Sequence, residues 1–176
     1  MDRKTITRIS FAAMFAALTA LFITLIHIPY GETGYIHLGD AVILLCAAVL
    51  PAPYAIPAAA VGGGLADLFS GFPLYIIPTV IIKSLMALTL SSKTGTVLCR
   101  RNLAGAGVAV GLNLLLYAVA EWVLGLAVYG LTPGGALAVA VTTLPQNAIQ
   151  GAASFALFVP LAAGFDKLRA KTTFHP

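Results

Sequence analysis

The chain has 176 residues, 60% of them hydrophobic and only 9% charged, with a formal net charge of +4. Soluble domains carry about 25% charged residues, and the mean hydropathy here is +0.97. A water-soluble domain is therefore excluded, and an integral membrane protein is expected. Its apolar runs are continuous, where a barrel strand would alternate over about ten residues, so the expected class is all-α.

A spanning helix needs about 20 apolar residues. The first predicted helix covers residues 9–28 and is ended by Pro29. Its flank, "MDRKTITR", looks like the start of a signal peptide, but the apolar run is long for one and no small-x-small cleavage site follows. A retained helix is expected. The second covers residues 40–50 and is broken by "PAPYAIP"; the third covers 54–69, and the fourth 74–90 with Pro78 in its first turns. "SSKTGTVLCRRN" is a polar loop, after which a long fifth helix covers 103–129. "GLTPGG" signals a turn. "ALAVAVTTL" is too short to span and reads as a re-entrant or surface piece. The sixth helix is expected over 145–165, with Pro145 at its favoured first position, and "DKLRAKTTFHP" is a tail. All of this forms one membrane domain, residues 1–176.

Six helices place both termini on one side. Arg3, Lys4 and Arg8, then Lys93, Arg100 and Arg101, then Lys167, Arg169 and Lys171 all fall on that side, and the opposite loops contain no Lys or Arg. The positive-inside rule makes this side cytoplasmic. The positive charge thus reports topology, and nucleic acid is not an expected partner. Cys46 and Cys99 form no CxxC pair and read as free thiols, with no metal site implied.

The tenth basic residue, Lys83, lies about 13 Å deep if its helix starts at residue 74. A lone lysine there costs at least about 3 kcal/mol, so it needs a partner. Asp40, Asp67 and Glu121 are the available acids, and the sequence leaves open which one meets it. Either the group is a structural ion pair (Asp40, Asp67 and Lys83) or part of it lines a polar cavity opening outward. Three acids against one base leave acceptor capacity for a ligand or water. In "LPQNAIQG", Asn147 and Gln150 share a helix face and serve either as interhelical glue or as ligand contacts. Trp122, beside Glu121, offers a stacking surface or an interfacial anchor. Tyr35 and His37 in the first outer loop and Tyr75 opening the fourth helix have the same two readings. Ala12, Ala16 and Ala20 form one small-residue stripe on the first helix, and Ala13 and Ala17 another. Such stripes pack inside a bundle or dock a partner helix. Gly107 and Gly111 read as internal packing.

The stretches "AAMFAALTA", "GYIHLGDAVILL", "GGGLADLFSGFPLYIIPTVIIKSL" and "LPQNAIQG", in this order and spacing, resemble the substrate-binding S component of energy-coupling factor (ECF) transporters, in the riboflavin-type and vitamin-precursor branch. The resemblance implies capture of a vitamin or precursor from outside the plasma membrane. It also implies docking, through the alanine stripe of the first helix, on a membrane-embedded coupling subunit served by two cytoplasmic ATPases. The first outer loop, around Tyr35 and His37, would act as a gate, and Glu121, Asn147 and Gln150 would be ligand contacts. Metal-specific relatives carry a Met-His amino terminus, whereas this chain begins "MDRK". With no phosphate-binding loop, the chain cannot supply ATP hydrolysis. No cofactor is expected. One acid, two amides and aromatics suit a flat heterocycle such as hydroxymethylpyrimidine, pyridoxine, a thiamine fragment or riboflavin. The alternatives are an autonomous proton-coupled secondary transporter, for which no inverted repeat is visible, and a membrane enzyme. The latter would need His27, His37 or His175 to converge with acids, and no serine sits in an elbow motif.

Overall fold

The computed structural model describes residues 2–30 and 34–173; His175 and the side chains of Tyr30, Arg169 and Lys171 lie outside the described residues. Six helices carry the fold: α1 (Arg3–Thr24), α2 (Gly39–Val49), α3 (Ala52–Phe69), α4 (Ile76–Leu88), α5 (Arg100–Ala127) and α6 (Pro133–Thr173). Between α1 and α2 lies a hairpin of β1 (His27–Tyr30) and β2 (Gly34–His37), and a 3-10 turn, Pro73–Tyr75, precedes α4.

The short helix α2, "GDAVILLCAAV", sits at the centre. It is apolar on all sides, as a helix without a lipid or water face must be, and nine of its eleven residues are buried. The arc α1–α3–α4–α5–α6 wraps around it, each helix packing on the next. The exterior has the opposite character from a soluble protein. Ile77 is 73% exposed, and Phe69, Leu115 and Leu25 are also bare, while Lys83, Asp40 and Asn113 are buried. Three helices, α1, α5 and α6 to Leu168, are long and apolar enough to cross a membrane.

Gly62, Gly63 and Gly64 explain how α3 fits between two neighbours. A Cβ on Gly62 would lie 2.8 Å from the Ala16 carbonyl oxygen on α1, and one on Gly63 would lie 2.9 Å from Thr79 Cγ2 on α4. Both are too close for real atoms, so the backbones approach through the missing side chains, the usual means of tight packing where apolar area alone gives no drive. Ala16 lies in this contact, and both it and Ala20 are buried. The stripe Ala12, Ala16, Ala20 is therefore spent within the bundle, and docking through it is corrected accordingly. Ala13 and Ala17 remain exposed. On α5 Gly105, against the Thr89 backbone, and Gly125, against Ala136, permit close approach; Gly107 and Gly111 have open space beside them and do no internal packing.

Two differences from the sequence reading have clear local causes. Helix α1 stops at Thr24 rather than at residue 28, because His27–Tyr30 pairs antiparallel with Gly34–His37 in the register His27↔His37, Ile28↔Ile36, Pro29↔Tyr35. Pro29 is tolerated in a two-stranded ribbon, where every strand is an edge. Helix α6 starts at Pro133 rather than at Pro145. Thr132 caps it, its Oγ1 accepting the Gly135 N–H at 3.2 Å, and Pro133 takes the first position. Residues 133–144 are thus the amino-terminal turns of one 41-residue helix, with Pro145 and Pro160 in its interior. Pro145 costs one backbone hydrogen bond, to the Val141 carbonyl. In membrane helices neighbouring groups commonly offset such a loss.

At the end of the bundle away from the hairpin, the Asp166 carboxylate accepts the N–H groups of Val97 (2.7 Å) and Leu98 (2.8 Å). This ties the α4–α5 loop to the last turns of α6.

Candidate functional site

The hairpin end of the bundle holds a cavity of about 170 Å³. Its wall comes from the hairpin (Tyr35, His37), the end of α3 and the turn after it (Asp67, Phe72), the start of α4 (Tyr75, Thr79), α5 (Tyr117, Glu121) and α6 (Thr142, Gln146, Asn147, Gln150). The helix period explains why these side chains converge. From the 3-10 turn into α4, residues 75, 79 and 83 fall four apart; on α5, residues 113, 117 and 121 do; on α6, residues 139, 142, 146 and 150 follow the three–four spacing. Each series is a stripe on one face, and the three stripes face one another.

Beneath the cavity lies an ion pair. Lys83 Nζ donates to Asp40 Oδ1 at 2.6 Å and to Asn113 Oδ1 at 2.9 Å, and it stands 5.1 Å from the centre of the Tyr117 ring. Gln150 Nε2 donates to the other Asp40 oxygen at 3.0 Å. Asp40 also sits in the first turn of α2, where the helix dipole favours an anion. Lysine and aspartate are each about 1% exposed. At such a depth a charge survives only when paired and hydrogen-bonded, and this pair has both. Asp67 is not part of it: its Oδ2 is buried without a hydrogen-bond partner, and it faces the cavity. The expected three-membered ion pair is corrected to Asp40 and Lys83.

Above this floor, Tyr75 donates its hydroxyl to the Glu121 carboxylate, 3.1 and 3.0 Å from its two oxygens. Thr79 Oγ1 and the Tyr117 hydroxyl share a 2.8 Å bond. The hairpin forms the roof, and Gln146 Nε2 holds it by donating to the Tyr35 carbonyl at 2.9 Å. The Tyr35 ring lies 5.2 Å from His27, 5.7 Å from His37 and 5.5 Å from Phe72, so an aromatic cluster closes over the opening.

Of the residues singled out from the sequence, Tyr35, His37, Tyr75, Glu121, Asn147 and Gln150 meet on this wall. Lys83 does not reach it, being occupied below. Trp122 is 39% exposed and outside it, because a residue next to Glu121 points about 100° away around the helix. Thr79, Tyr117, Gln146 and Phe72 were missed. The first two are visible as the middle members of the stripes 75–79–83 and 113–117–121. Phe72 depends on the turn after α3 and gives no periodic signal. His27 and His37, expected on separate elements, are cross-strand neighbours. Among the described residues no group of three or more potential metal ligands occurs.

Burial pushes the His37 imidazole down to about 4 from its usual 6.5, against the opposing pull of Asp40, so it is neutral at neutral pH. The folded form is then the weaker proton binder, and its stability is fully present above about 6.5 and lost as pH falls towards 4. Thermal unfolding of the detergent-solubilised protein should show a decline of roughly 1.4 kcal/mol per pH unit across that window. His37→Gln should flatten it, and an equal slope in both proteins would rule out His37 as its source.

The family model for the ECF-type riboflavin transporter S component matches residues 3–167. The chain belongs to that family. A search of curated proteins found no match. As an ECF S component it is a membrane transport protein, not an enzyme. S components serve vitamin uptake together with an ECF module.

Proposed function

We propose that this S component captures one small, flat heterocycle in the cavity beneath the hairpin and delivers it across the plasma membrane with an ECF module. The observation that carries this reading is the cavity. It is walled by aromatic rings and by the polar groups of Glu121, Asn147, Gln146 and Gln150, the combination of apolar lining and few polar anchors expected of a ligand site. In this reading all six helices belong to the membrane domain, α2 being shielded at its centre. Both termini face the cytoplasm, since nine of the ten basic residues lie at the end with the termini, and the cavity opens outward. Tyr35 and His37 belong to the gate, and Tyr75, Glu121, Asn147 and Gln150 contact the ligand.

Size favours a single ring. A cavity of about 150 Å³ accommodates benzene, whereas drug-sized ligands occupy about 300–1,000 Å³; the volume here is about 170 Å³. Riboflavin, with three fused rings and a sugar-alcohol chain, is the second reading, favoured by the family's own description.

Cells expressing the chain with and without an ECF module, offered labelled monocyclic heterocycles and riboflavin, test the proposal. Uptake should require the module and ATP. Accumulation by this chain alone, driven by a proton gradient, would replace the proposal with a secondary transporter.

Docking on the coupling subunit is assigned to the outward strip of α1 around Ala13 and Ala17. Ala17→Trp should abolish co-purification with the module and preserve ligand binding. Ala16→Trp should instead destabilise the bundle, because Ala16 lies against Gly62. Normal complex yield from the Ala17 variant would refute this role.

A further inference from the structure

The wall of the cavity carries two carboxylates and, among the described residues, no lysine or arginine to balance them. Asp67 is only 8% exposed, and its Oδ2 has no hydrogen-bond partner. Glu121 accepts the Tyr75 hydroxyl at both oxygens, and each oxygen retains a free lone pair. Among the described residues, no lysine or arginine lines the cavity. Lys83, the nearest candidate, is occupied by Asp40 and Asn113. His37, which does line the cavity, is held neutral by burial. A carboxylate removed from water without a partner is costly, so Asp67 either holds a proton or is balanced by something positive that enters the cavity, and the half-buried Glu121 offers that occupant a second acceptor. The rest of the wall suits the same occupant. Tyr35, Phe72, Tyr75 and Tyr117 line the cavity with rings, with Phe72 5.5 Å from Tyr35 and 6.3 Å from Tyr75. Aromatic faces around a desolvated site attract cations.

We infer that the occupant is a single-ring heterocycle carrying a cationic nitrogen, held between Asp67 and Glu121 within the aromatic wall. This rests on the capture reading above and adds the charge of the ligand to it. A phosphorylated or carboxylated compound is disfavoured by the same two acids. A neutral ring whose substituents merely donate hydrogen bonds would use the lone pairs but leave the charges uncompensated.

Matched probes separate these cases. Benzylamine and benzyl alcohol form one pair; the 5-aminomethyl and 5-hydroxymethyl forms of 4-amino-2-methylpyrimidine form another. Within each pair shape is conserved, and at neutral pH the side-chain amine is charged while the alcohol is not. Isothermal titration and thermal unfolding of the full-length protein in detergent should show the amine binding at least about tenfold tighter than its alcohol. Asp67→Asn and Glu121→Gln should each shrink that ratio. If Asp67→Asn does not fold, Glu121→Gln makes the same comparison. Equal or tighter binding of the alcohols, a ratio unchanged in the variants, or no binding by any amine overturns the inference. An alcohol-preferring protein that still accumulates a solute with the module would lose the charge assignment and keep the capture function. Absence of module-dependent uptake would strike at the capture function itself.

Discussion

Lys83→Met is expected to cost about 3–5 kcal/mol of stability, the effect of leaving a buried charge without its partner. The substitution keeps the length and apolar character of the side chain, so packing against Gly63 is largely retained. It removes the cation that, among the described residues, pairs with Asp40, at 2.6 Å, and leaves Gln150 as that carboxylate's remaining side-chain partner there. The second substitution decides the cause. Adding Asp40→Asn to Lys83→Met removes the stranded anion and still allows an amide bond to Gln150, so much of the loss should return. Melting temperature and monodisperse yield in detergent measure both steps. A single variant as stable as the parent would mean that the pair contributes nothing. A double variant no better than the single would mean that lysine acts through packing.

Glu121→Ala should weaken ligand binding by about 10- to 100-fold, since a hydrogen bond to a charged group is worth about 1.5–3 kcal/mol. Folding should change far less, because Glu121 is only partly buried and its partner, the Tyr75 hydroxyl, can turn into the cavity. Tyr75→Phe keeps the carboxylate and loses only its positioning, so it should produce a smaller loss, and Asn147→Ala should fall between the two. Titration of the three variants with whichever solute the parent binds gives the order. Unchanged affinity in both Glu121→Ala and Asn147→Ala would remove them from the site.

Much of the fold was legible because lipid imposes simple demands. Continuous apolar runs bounded by Pro, Gly and charge gave six helices, and the position of Lys83 within its run required an acidic partner. The identity of that partner was not legible. Asp40 opens α2 and Asp67 closes α3, so both stand at the same end of the bundle, and the choice depends on α2 lying at the centre, which neither residue encodes locally. Asn113, which completes the lysine's hydrogen bonding, looks in sequence like any polar residue in a long helix. The alanines failed differently. Two adjacent stripes on α1 are equally small, and only the glycines of α3 show which of them faces inward. Prolines misled in the same way. "TPGG" and "LPQN" both fit a helix start, but only Thr132 provides a side-chain cap there.

The proline that misled the sequence reading has a mechanical meaning in the folded protein. Pro145 lies among the α6 residues that border the cavity, from Val139 to Gln150, and the rung it would have made with Val141 is missing. A helix bends most readily at such a point. The longest helix among the described residues is therefore compliant at a point beside the cavity proposed to hold the ligand. That side of the chamber can yield by a few degrees as a guest enters, and no backbone bond has to break for it to do so.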